Sequence, residues 1–191
     1  MLAAPPSQCG VPALYRPGRA VSADFTGDGV TDRALVVHSR CGWSVEMISG
    51  GRRFQVRVPA PTRDSGPTLR RAANLDNRRG EELLVAAARS GDTITYRVVT
   101  YAVGGLRLMQ MTPTKKPGFV FGHGSSHGEG FGCLRPGVME QIGWGNTPPT
   151  VGYKQVYVAD GLAWKLVRTT RIRVPEDAFP PEVRSPFARC R

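Results

Sequence analysis

Hydrophobic and polar residues alternate along much of this chain with the two-residue period of β-strands. Trp43, Val45 and Met47 fall on one face, with Ser44 and Glu46 on the other. Phe54, Val56 and Val58 oppose Gln55 and Arg57, and Ile94, Tyr96 and Val98 oppose Thr95 and Arg97. The alternation is punctuated by dipeptides that suit tight hairpins: Gly50-Gly51, Gly104-Gly105 and Asp160-Gly161. Each follows an apolar strand pattern, and a large apolar residue (Phe54, Leu108, Trp164) stands three positions after the second glycine. The corners lie 54 and 56 residues apart. This spacing predicts three degenerate copies of a hairpin-rich unit, at roughly 17–62, 67–114 and 127–174.

One segment conflicts locally with that pattern. Glu81 to Arg89 (EELLVAAAR) has strong intrinsic helix propensity. The repeat argument instead makes its first half a strand, and the strand reading is preferred. The expected fold is therefore all-β, one domain over residues 1–191. Three units are few for a propeller, which normally has four to eight blades. The alternatives are a partial propeller-like array, an assembly with another chain, or a compact barrel or sandwich. Residues 175–191, with Pro175, Pro180, Pro181 and Pro186, are expected to form an extended strap.

The segment richest in chemistry runs from Asp24 through Phe25, Thr26, Gly27, Asp28, Gly29, Val30 and Thr31 to Asp32, just before the apolar run Ala34-Leu35-Val36-Val37. Oxygen-bearing side chains fall at positions one, three, five and nine, with glycine at six. That pattern lets a short loop wrap Ca2+, which takes six to eight oxygens at about 2.3–2.6 Å. An EF-hand is disfavoured, because its twelfth position needs a glutamate and here it is Leu35, inside a β-type run. The plainer alternative is a turn held by local side-chain to backbone hydrogen bonds, without metal.

This loop, followed by its hydrophobic strand, resembles the calcium loops of FG-GAP (VCBS-type) repeats. The resemblance is specific over Asp24 to Val37 and looser elsewhere. It implies that Asp24, Thr26, Asp28 and Asp32 supply side-chain oxygens to one Ca2+, and that Val30 supplies its carbonyl. Thr26 stands where the family often has an acidic or amide side chain. In the second unit, Asn74 to Glu82 leads into Leu83-Leu84-Val85, with Arg78 and Arg79 where a ligating carboxylate and the glycine belong. A guanidinium there repels a cation, so this loop is expected to hold without metal, with Asp76, Glu81 and Glu82 available to pair with Arg78 and Arg79. The third unit (Gly132 to Gly137, leading into Val138 to Ile142) has no carboxylate at the equivalent place. At most one metal site is expected.

Composition places this loop in context. Four of the 26 basic residues are lysines and the rest arginines, giving a net charge of +11. Such a charge gives a long-range field and attraction to anionic polymers. Nucleic acid is a disfavoured partner: the arginines are scattered, and no helix-turn-helix, zinc-finger or RNA-binding aromatic pattern is present. Cys9, Cys41, Cys133 and Cys190 are isolated, without the C-x-x-C spacing of zinc or redox sites. Two disulfides in an oxidising compartment are expected, with the pairing open. Together with the arginine-rich composition, this looks like the exported actinobacterial members of the group. No run approaches the roughly 18 apolar residues of a membrane helix. Met1 to Gln8 lacks a signal peptide's basic start and apolar core, so the expectation is a mature or trimmed chain that works outside the cytoplasm. Were this the native start, a cytosolic chain with free thiols would be the alternative.

Other candidate chemistry is weaker. His123 and His127 flank Ser125 and Ser126 in a glycine-rich segment before Glu129. No helix fixes their spacing, so a surface loop is favoured over a metal or acid–base site. Asp160 completes the raw parts of a serine hydrolase, but no nucleophile elbow is present. His38 reads as a strand residue. Trp43, Trp144, Trp164, Tyr101 and Tyr157 could form an aromatic glycan platform; core packing is the preferred reading, with Trp144, within Gly143-Trp144-Gly145-Asn146, the best candidate for exposure. The chain therefore reads as a non-catalytic, secreted or envelope-attached binding or scaffolding module. Its partner would be a protein or an envelope polymer. A hydrolase using the His123 and His127 region and a binder of anionic polymers are the rival classes.

Overall fold

The computed structural model describes residues 20–39, 42–59, 66–91, 93–113, 118–123, 127–145, 151–173 and 190. Cys9, Cys41, Ser125, Ser126, Asn146, the side chains of His123 and His127, and the predicted strap apart from Cys190 lie outside the described residues.

All regular structure among the described residues is β. The first sheet is a meander of β1 (Val21–Ala23), β2 (Asp32–Ser39), β3 (Gly42–Ser49) and β4 (Arg52–Arg57), antiparallel throughout and in that order. A second meander follows: β5 (Thr68–Ala73), β6 (Glu82–Ser90), β7 (Thr93–Ala102) and β8 (Gly105–Leu108). β7 is long enough to serve two neighbours along one edge. Val99 to Ala102 pair with β8, while Thr93 to Tyr96 pair with β10 (Phe119–His123). Through β10 the sheet continues into β11 (His127–Arg135), β12 (Val138–Gly145), β13 (Val151–Asp160) and β14 (Ala163–Arg173). Short β9 (Gln110–Thr112) closes this row by pairing parallel to β14. Neither sheet closes into a barrel, which removes that alternative.

Two apolar cores hold these strands together. One gathers Ala34 and Val36 of β2, Val45 and Met47 of β3, and Leu69, Leu83, Val85, Ala87, Val99 and Leu106 of the second meander. The other gathers Leu84 and Val98 with Phe119, Phe131, Cys133, Met139, Tyr157 and Trp164. The second meander therefore buries both of its faces. Leu83 and Val85 point to one core and Leu84 to the other, as the two-residue strand period requires.

This burial explains why Glu82–Ser90 is a strand along its whole length, beyond the first half expected from the sequence. A strand covered on both faces reads as a continuous apolar run. Burying each large aliphatic side chain contributes about 1.5–3 kcal/mol, whereas helix propensity differs by at most about 0.7 kcal/mol per ordinary residue. Burial outweighs propensity here.

Phe119 is the hub of the second core. Its ring lies 5.3 Å from Phe131, 5.6 Å from Tyr157 and 5.7 Å from Trp164. Cys133 and Cys190 are joined by a disulfide at this core, with Cα atoms 6.0 Å apart. Among the described residues, no helix is long and apolar enough to cross a membrane.

The three glycine corners all fall between paired strands, the second one residue earlier and the third one residue later than expected. The β3–β4 turn is Gly50-Gly51, both with positive φ, as a two-residue hairpin demands. The β7–β8 turn is Val103-Gly104, one residue earlier than the expected Gly104-Gly105, since Ala102 pairs with Gly105. The β13–β14 turn is Gly161-Leu162, since Asp160 pairs with Ala163.

Candidate functional site

The aspartate loop connects β1 to β2 and is built almost wholly from carboxylate-to-amide hydrogen bonds. Asp24 Oδ1 accepts the N–H groups of Gly27 (2.7 Å) and Asp28 (3.2 Å), and its Oδ2 accepts that of Gly29 (2.9 Å). Asp28 Oδ1 accepts the Val30 N–H at 2.8 Å. Buried Asp32 closes the loop: its Oδ2 accepts the N–H groups of Phe25 at 2.9 Å and Thr26 at 3.0 Å. Phe25, buried in the first core, anchors the loop to the sheets.

These bonds leave capacity for a cation. Asp32 Oδ1 and Thr26 Oγ1 are buried without a hydrogen-bond partner. A buried carboxylate oxygen without a partner is costly, and a bound cation would supply one. An ionised carboxylate has about four lone-pair sites, so Asp24 and Asp28 can ligate while still accepting their amides. Val30 is exposed at the loop's outer edge. In the geometry observed, no group of three His, Cys, Asp or Glu side chains is gathered to hold a metal ion among the described residues. The donor set fits Ca2+ in chemistry.

The β5–β6 connection repeats this construction. Glu82 Oε2 accepts the N–H groups of Leu75 (2.7 Å) and Asp76 (3.0 Å), as Asp32 does in the first loop. Asn74 Oδ1 accepts the Asn77 N–H at 2.9 Å, in the place of Asp24, and Leu75 is buried as Phe25 is. Asn77 takes a left-handed φ of 66° where Gly27 has 75°. The second left-handed residue is displaced: Gly29 has φ 85°, but here Gly80, rather than Arg79, has φ 97°.

The expected pairing of the acidic residues with Arg78 and Arg79 holds only for Asp76, whose carboxylate lies 3.8 Å from Arg78 Nε. Glu82 is instead buried as the loop's closing acceptor, with the Thr100 hydroxyl donating to its Oε1 at 3.4 Å. Burial, followed by the neighbouring Asp76 carboxylate, pushes the Glu82 carboxyl up to about 8. Its role was the feature least visible in sequence. The available signal was that Asn74 and Glu82 repeat the eight-residue separation of Asp24 and Asp32 before an apolar run.

The two loops touch. The Glu81 N–H donates to the Asp24 carbonyl at 2.8 Å. A Cβ on Gly27 would lie 2.7 Å from the Arg79 carbonyl carbon, and one on Gly80 would lie 2.7 Å from the Phe25 oxygen. One step further, the Gly137 N–H, in the β11–β12 turn, donates to the Leu75 carbonyl at 2.7 Å.

Several of the remaining candidates have structural partners. His38 stacks on Trp43, ring centroids 4.3 Å apart. Trp164 and Tyr157 are buried, and Tyr101 packs edge-on against Phe54 at 5.2 Å. Trp144 is only half-buried, with its ring over Gly128, where any Cβ would collide with it. Glu129 accepts the Tyr153 hydroxyl at 3.0 Å. Burial, then the Glu129 carboxylate, pushes the Tyr153 phenol upward. The backbones of His123 and His127 sit at the end of β10 and the start of β11, and Asp160 is exposed beside the β13–β14 turn. Family models, curated proteins and solved structures contain no match to this chain.

Proposed function

We propose that this chain is a non-catalytic, extracytoplasmic binding or scaffolding module. It is built from degenerate FG-GAP-like units arranged as a partial propeller-like array, with one Ca2+ held by the first loop. The observation that carries this reading is the shared construction of the β1–β2 and β5–β6 loops. Each is closed by a buried carboxylate that accepts the N–H groups seven and six residues upstream. Three further features support it. The four-strand meanders pack face to face, the loops hand a hydrogen bond from one unit to the next, and a disulfide suits an oxidising compartment.

In this reading Asp24, Thr26, Asp28 and Asp32 ligate Ca2+ through side chains and Val30 through its carbonyl. The second loop does without metal, because Arg78 stands at the position of Asp28. The test is thermal unfolding with EDTA and with millimolar Ca2+. Wild-type protein is expected to gain several degrees with Ca2+, and Asp28→Ala to lose that gain. A wild-type midpoint indifferent to Ca2+, or an equal gain in the variant, removes the metal site. Recovery of one envelope component only when Ca2+ is present would then identify the partner.

A further inference from the structure

We propose that a pocket between β5, β6 and β7 binds the oxyanion end, phosphate or carboxylate, of a small ligand through Arg70 and Arg89. The pocket has a volume of about 190 Å³, and its lining includes both arginines, Thr68, Ala86, Ala88 and Ile94. At roughly 30 Å³ per water it holds about six waters, enough for a phosphate or a small sugar acid. This site does not depend on the calcium loop or on the repeat reading.

Three observations converge on it. The strand that opens with Leu83-Leu84-Val85 continues as Ala86-Ala87-Ala88, and the missing side-chain volume leaves room for the cavity. Both strands carry a bulge whose extra residue lines this pocket. Arg70 is skipped in the β5–β6 register between Leu69 and Arg71, and Ala87 in the β6–β7 register between Ala86 and Ala88. Bulges re-aim side chains and gather beside binding sites; here two of them face one pocket. Finally, among the described residues no carboxylate lines the pocket and neither arginine has an ion pair. Arg89 Nε donates to the Gly91 carbonyl at 3.1 Å, which orients the guanidinium and leaves its terminal nitrogens for a ligand. Two exposed arginines and a threonine lining one pocket beside small apolar residues are suited to fork-like recognition of an oxyanion.

The experiment is a ¹⁵N-NMR titration of the full chain in EDTA, at constant ionic strength, with inorganic phosphate and separately with glucuronate. At least one anion is expected to give saturable shifts confined to Thr68, Arg70 and Ala86 to Ile94; which one does assigns the head group. Arg70→Ala and Ala88→Leu, the latter filling the pocket without changing charge, are each expected to weaken binding at least about tenfold. Arg168→Ala, removing an exposed arginine on β14, is expected to leave affinity within about twofold. No saturable local shift with either anion overturns the site. So does wild-type affinity in a folded Ala88→Leu protein, or an equal loss in Arg168→Ala and Arg70→Ala.

Discussion

Asp32 and Glu82 do the same work in two successive loops, each closing its loop through two backbone amides, yet only Glu82 shares its burial with a second carboxylate, Asp76. The fold therefore favours neutral Glu82, whereas the unfolded chain carries an ordinary carboxyl near 4.5. Its stabilisation is whole below that value, declines as pH rises toward about 8, and is level above. The loss should be on the order of a few kcal/mol. Glu82→Gln keeps an acceptor oxygen and removes the titration. Its midpoint should be flatter than wild type between pH 4.5 and 8; parallel profiles would show that Glu82 titrates normally.

The contact between the loops makes two glycines irreplaceable for different reasons from a third. Gly27 and Gly80 combine positive φ with backbone that a Cβ would strike, whereas Gly29 has positive φ and open space. Urea unfolding of Gly27→Ala and Gly80→Ala should show losses of about 2–4 kcal/mol, against about 1 kcal/mol for Gly29→Ala. Equal losses at all three would mean that the loops do not touch.

Val103 occupies a left-handed turn position at φ 52° while 90% exposed. A β-branched residue is strained there and gains nothing from burial. Val103→Gly or Val103→Asn should raise stability by about 1 kcal/mol, seen as a melting midpoint higher by a few degrees. A fall would place the turn elsewhere.

The Cys133–Cys190 bridge closes a separation of 57 residues. On chain-entropy grounds it contributes about 4 kcal/mol. Cys190→Ala should lower stability by that order in urea titrations and abolish the effect of a reductant on this part of the chain. A variant as stable as wild type would show that the bridge adds nothing.

Much of the fold was legible in the residues. Alternation located β3, β4 and β7, and the glycine corners located three hairpins, because side-chain period and positive φ are local properties. The β7–β8 corner shows where that reasoning stops. Leu106 and Leu108 bury against the first core, and moving the turn one residue later would carry both to the opposite face. Burial decided the register, and Val103 accepted the strain. The aspartate loop was equally visible, since its carboxylates act on amides a few residues away. Glu82 was not: it also acts on amides of its own loop, but its loss of solvent, with Thr100 of β7 beside it, comes from packing between distant segments.

What this sequence determined alone is the alternating strands β3, β4 and β7, three tight corners to within one residue, and the acidic turn, each fixed by chemistry among near neighbours. Only the tertiary structure decided that the second meander would be covered on both faces, that Cys133 would meet Cys190, and that Arg70 and Arg89 would line one cavity. Those outcomes depend on contacts between distant segments, and burial free energy summed over whole faces outweighs the preferences of any single residue.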